Sequence, residues 1–139
     1  MRMEQPLYTV TGHAIHGKRL GARLGFPTAN IAYDPGAPLM PRDGVYIASV
    51  WIDGEDAPYV SILNQGRHPT APEGRPVIEA HLLGYGGGDL YGRKLTLNYQ
   101  QYLRPEQKFL SLARLKEQLG KDRSAAMAWA QSLEAKENP

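Results

Sequence analysis

Up to Leu103 the chain sets short apolar, β-branched and aromatic runs between clusters of Gly, Pro, Asn and Asp. Such runs predict strands and such clusters predict turns. Residues 7–15 form the first run, and Gly12 inside it marks a bulge or a close backbone approach. Pro27 fixes its own φ and drives Phe26 toward extended geometry, so residues 24–31 are an extended segment. Residues 34–43 hold three prolines and are loop. Residues 45–52 are a strand, Asp53-Gly54 is a hairpin turn signal, and residues 59–63 return. Residues 77–83 and 95–99 are two further strands, the last running on to Tyr102. Residues 71–76 and the glycine-rich stretch 84–88 are loops. The tail changes period. Pro105 suits a first helical turn, and Leu112, Leu115 and Leu119 make one apolar stripe. Ser111 can cap that helix and Gly120 can end it. Asp122 then caps a second helix whose Met127, Ala130 and Leu133 face inward beside Trp129. About six short strands followed by helices exclude a strand–helix alternation of Rossmann type. They predict a mainly β protein, an antiparallel barrel or sandwich with helix over one opening.

Composition narrows the class. A chain of 139 residues is one domain with its own core. Its 15 glycines and 11 prolines are more than a helical bundle tolerates. Without cysteine there is no disulfide framework, thiolate metal site or cysteine nucleophile. No stretch reaches the apolar length of a membrane span, and the first residues do not lead into a signal-peptide core. A net charge of +2 is too small to argue for nucleic acid.

Three places carry candidate chemistry. Thr28 and Asn30 are two residues apart in an extended segment, so a hydroxyl and an amide oxygen share a face. Such a pair completes the oxygen shell of a hard cation held by a nucleotide phosphate. The plain alternative is a Pro-Thr turn in which Asn30 bonds nearby backbone. Ahead of it, residues 17–25 interleave glycines with Lys18, Arg19 and Arg23. Exposed N–H groups and cations suit a polyphosphate, but the spacing is not that of a P-loop and a solvated loop fits as well. Finally, Glu79 and His81 share one face of their strand while Ile78, Ala80 and Leu82 share the other. Glu79 is a candidate base if that strand lines a pocket, and an exposed carboxylate if it does not. His13 and His16 have no carboxylate at metal spacing beside them.

In order along the chain these pieces resemble the riboflavin kinase family. The resemblance rests on His16-Gly17, the glycine-rich basic loop, Gly25-Phe26-Pro27-Thr28-Ala29-Asn30 and Gly44-Val45-Tyr46. It continues through residues 66–70, Ile78-Glu79-Ala80-His81, Asp89-Leu90-Tyr91-Gly92 and Leu103-Arg104-Pro105-Glu106. Phe109-Leu110-Ser111-Leu112 and Asp122 match as well, so residues 8–130 are covered. The resemblance implies a six-stranded antiparallel split barrel of Greek-key type over residues 7–103, with C-terminal helices over 105–135. It implies transfer of the ATP γ-phosphoryl group to the ribityl 5′-hydroxyl of riboflavin, giving FMN and ADP. By the same resemblance Thr28 and Asn30 hold Mg²⁺, or another divalent cation, and the nucleotide phosphates. Gly17, Lys18, Gly21 and Arg23 cover those phosphates. Leu82, Gly84 and Tyr91 line the nucleotide pocket. Glu79 accepts the hydroxyl proton, and Arg104, Gln107 and Phe109 contact the flavin.

The chain departs from the family at Gly84, where many members carry an acidic residue, and in the longer loop of Gly86 to Gly88. Gln107 also replaces a residue that is often basic or small. Many bacterial relatives carry an N-terminal adenylyltransferase domain. Leu7 already begins the first strand here, so FAD synthesis is not expected of this chain, which is either a stand-alone kinase or the kinase module of a longer bifunctional protein. A monomeric cytoplasmic protein with no membrane or nucleic-acid partner is expected. A silent flavin or FMN carrier on the same barrel would not need Glu79 together with Thr28 and Asn30. A nucleic-acid-binding barrel would need its eight tyrosines and its cations on one strand face, and they are dispersed.

Overall fold

The computed structural model describes residues 5–15, 28–66 and 76–137. Six strands come first: β1 (Tyr8–His13), β2 (Thr28–Ala32), β3 (Gly44–Ile52), β4 (Tyr59–Gly66), β5 (Val77–Leu82) and β6 (Lys94–Arg104). One helix, α1 (Leu112–Glu137), follows. The strands form one antiparallel sheet in the order β1-β6-β3-β4-β5-β2. β3, β4 and β5 are a meander, and β6 returns to lie beside β3, which is the Greek-key arrangement. The sheet curls until its edges meet. There the Ile15 N–H donates to the Asn30 carbonyl at 2.7 Å. The split barrel expected from the family resemblance is therefore present. Among the described residues no helix is long and apolar enough to cross a membrane.

Strand alternation separates two cores. Ile31, Ala48, Leu63, Ile78, Leu82 and Leu97 point into the barrel. Val45, Ile47 and Ile62 point outward and meet Ala126, Trp129, Ala130 and Leu133 of α1. β3 is thus apolar on both faces, which is why its sequence reads as a continuous run and not as an alternation. Between β3 and β4 the hairpin turns at Gly54, whose φ of 91° favours glycine.

The tail differs from expectation. Pro105 does not begin a helix. Residues 105–109 are a non-helical connection, and α1 starts only at Leu112. Ser111 does cap it: the Arg114 N–H donates to Ser111 Oγ at 3.2 Å. There is one helix and not two. Leu119, Asp122, Ala126, Trp129, Ala130 and Leu133 are buried at helical spacing, a single stripe that runs straight past Gly120. Asp122 belongs to that stripe and caps nothing. Leu112 and Met127 lie off it and are exposed.

Candidate active site

The register of β5 with its two neighbours builds the site. Glu79 lies opposite Asn30 of β2 on one side and Asn64 of β4 on the other. His81 lies opposite Thr28 and Ile62. All share the outer face of the sheet, since Ile78, Ala80 and Leu82 fill the barrel. The two alternatives for Glu79 were an exposed carboxylate and a pocket-lining one. Its side chain is only 13% exposed and that of His81 only 5%, so this part of the outer face is no open surface. His81 Nε2 stands 3.1 Å from Glu79 Oε1. An ionised carboxylate only accepts, so Nε2 carries the proton in this contact and fixes how the carboxylate points.

Thr28 and Asn30 come together as the spacing predicts. Thr28 Oγ1 and Asn30 Oδ1 are buried and have no hydrogen-bond partner among the described residues. Asn30 does not spend its side chain on nearby backbone. Its own carbonyl is already held by Ile15, which anchors the residue from behind. Buried polar atoms are nearly always paired, so two adjacent unpaired oxygens mark a place for a ligand. A hydroxyl and an amide oxygen are hard donors that suit a divalent cation with phosphate and water in its remaining positions. The donor set therefore fits Mg²⁺. It is not an acidic cage: no group of three His, Cys, Asp or Glu suited to a metal occurs among the described residues.

The remaining expected residues divide. Gly17, Lys18, Gly21 and Arg23 lie outside the described residues. Leu82 buries its side chain in the barrel core. Gly84 makes the turn after β5 with φ at 78°, and Tyr91 is 56% exposed, its N–H donating to Asp89 Oδ1. Gln107 and Phe109 line a cleft of about 260 Å³ between the 105–111 connection and the first turns of α1. Arg104 does not line that cleft. Its Nε and Nη2 donate to the buried Asp122 carboxylate at 2.9 and 2.7 Å, and its Nη1 donates to Gln107 Oε1 at 3.3 Å. It fixes the cleft wall from behind. Gly66 serves the same region, because a Cβ there would overlap the Glu106 carboxylate.

The sequence places His81 on the face of Glu79 without giving it a role, and it gives no sign of Asn64. The i, i+2 spacing of Glu79 and His81 was a usable signal for the first. Asn64 reaches the site only through the β4–β5 register, which no local pattern encodes.

The comparisons with known proteins agree with this fold. The family model described as flavokinase, riboflavin kinase, matches residues 5–130. A bifunctional riboflavin kinase/FMN adenylyltransferase of Pseudomonas fluorescens is 43% identical over 124 residues, 88% of this chain and 38% of that protein. Its Bacillus subtilis counterpart is 33% identical over 129 residues, 91% of this chain and 40% of that one. The chain thus spans well under half the length of these relatives. Among solved structures, a macrolide-efflux protein from Streptococcus pneumoniae superposes with a TM-score of 0.74 at 28% identity, over 89% of this chain and 39% of that one. A riboflavin kinase from Trypanosoma brucei shares the fold, with a TM-score of 0.62 at 24% identity, over 94% of this chain and 83% of that one. With the family model matched over residues 5–130 and the barrel and helix in place, the chain belongs to the riboflavin kinase family.

Proposed function

We propose that the protein transfers the γ-phosphoryl group of ATP to the ribityl 5′-hydroxyl of riboflavin, giving FMN and ADP. The observation that carries this reading is the in-register row of Thr28 and Asn30 beside Glu79 and His81, with its unpaired buried oxygens. Phosphoryl transfer asks for alignment and charge neutralisation more than for covalent help. Mg²⁺, when bound, supplies that neutralisation on the phosphate oxygens, and Thr28 Oγ1 and Asn30 Oδ1 are the protein atoms that would hold it. Glu79 accepts the proton of the attacking hydroxyl, with His81 fixing the carboxylate. The buried site excludes bulk water, which would otherwise compete as acceptor. Gly17, Lys18, Gly21 and Arg23 take the phosphates, and the Leu82–Gly84 main chain and Tyr91 take the rest of the nucleotide. Gln107 and Phe109 hold the flavin, with Arg104 buttressing Gln107.

The test is to incubate the protein with riboflavin and MgATP and separate the flavins. FMN should form, and Glu79→Gln should lower kcat by about 10²–10⁴-fold while flavin affinity changes little, as loss of a general base demands. Flavin bound but never converted, with any nucleotide donor, would instead make the protein a carrier.

A further inference from the structure

The row through Glu79 does not end at Asn30. β4 sets Asn64 directly opposite Glu79 on the other side, so the carboxylate has an amide on each flank. Opposed side chains on one face stand about 4.5–5.5 Å apart at Cβ. Asn64 Oδ1 is buried and, like Asn30 Oδ1, has no hydrogen-bond partner among the described residues. Packing alone does not call for an amide here. Ile62, on the same face two residues earlier, simply joins the apolar cluster under α1. A buried acceptor left unpaired works against the fold unless a ligand donates to it.

The two amides face different neighbours. Asn30 stands on the outer strand next to Thr28, a second unpaired oxygen. Asn64 faces Val45 across the β3–β4 pair, and Val45 faces Arg104 across the β3–β6 pair. Arg104 in turn holds Gln107 at the cleft. Across the sheet the order is therefore Thr28 and Asn30, Glu79, Asn64, Arg104. In-line transfer places donor and acceptor on opposite sides of the moving group. With the phosphates held at Asn30, the acceptor belongs on the Asn64 side of Glu79.

We propose that Asn64 is an acceptor-binding, specificity-determining residue: its Oδ1 accepts a hydrogen bond from a secondary hydroxyl of the polyol chain whose terminal hydroxyl meets Glu79. This rests on the riboflavin kinase reading. The experiment compares kcat/KM for riboflavin with that for a flavin bearing a 5-hydroxypentyl chain, which keeps only the terminal hydroxyl. Asn64→Ala should lower the riboflavin value about tenfold, leave the hydroxypentyl value in place, and so erase about tenfold of the wild-type preference. Asn64→Ser, which keeps an acceptor oxygen, should restore part of it. The ratio is internal to each preparation, so a loss of folded protein cancels. An unchanged ratio, or a raised Mg²⁺ requirement in place of a changed ratio, overturns the assignment and leaves the kinase reading standing. Wild-type protein that forms no FMN overturns the kinase reading itself, and the role of Asn64 with it.

Discussion

Asn30 has two separate duties. Its carbonyl accepts the Ile15 N–H that joins the sheet edges, while its side-chain oxygen sits buried and unpaired beside Thr28 Oγ1. The backbone duty needs no particular side chain, so substitution can separate the two. Asn30→Ala should fold, should raise the Mg²⁺ concentration for half-maximal rate by about tenfold or more, and should leave the KM for riboflavin near its wild-type value. A Mg²⁺ titration of initial rates checks this; an unmoved midpoint removes Asn30 from the cation's shell. Thr28, Asn30 and Glu79 were legible in the sequence because alternation alone tells which residues share a strand face. That these faces come together was not, because the β2–β5 pairing is a long-range choice made by the whole sheet.

At the scale of the element, one buried ion pair among the described residues, Arg104 with Asp122, ties α1 to the barrel. Asp122 is 2% exposed and also accepts from Gln118 Nε2 at 2.9 Å. Removing one partner of a buried pair leaves an uncompensated charge, so Asp122→Ala should cost about 3–5 kcal/mol in urea unfolding. It should also raise the KM for riboflavin by releasing Arg104 from its hold on Gln107. Lys121→Ala breaks only the exposed pair with Glu117, both side chains about two-thirds exposed, and should cost less than about 0.5 kcal/mol. The same ion pair explains why the tail misled a local pattern. Gly120 followed by Asp122 looks like a stop and a fresh cap, yet a carboxylate paired with Arg104 can sit on a buried stripe, and the tertiary contact outweighs the roughly 1 kcal/mol that a mid-helix glycine costs. The strands were easier to place, since their runs are short and bounded by Gly, Pro and Asp.

At the scale of the molecule, the barrel interior holds a chain of tyrosines. Tyr8, Tyr99, Tyr46 and Tyr102 meet edge to face, and Tyr99 donates to Gln65 Oε1 at 2.7 Å. Gln65 Nε2 reaches the Pro41 carbonyl at 2.9 Å and so ties the 33–43 loop to the core. Burial pushes the Tyr99 and Tyr46 hydroxyls upward from their ordinary value of 10.0. A folded-state value raised above the unfolded one means stability is intact below about pH 10 and is lost as pH rises beyond it. Denaturation midpoints should therefore hold through neutral pH and fall on the alkaline side. Tyr99→Phe should flatten that fall and cost about 1–3 kcal/mol at pH 7, because Gln65 loses its donor. The row that joins β2, β5 and β4 carries a different consequence. A slip of one residue in β5 would turn Glu79 and His81 into the barrel and put Ile78 and Ala80 in their place. Compactness and strand content would survive such a slip and turnover would not, so activity regained on refolding counts the molecules whose strands have found their true partners, where circular dichroism counts every sheet alike.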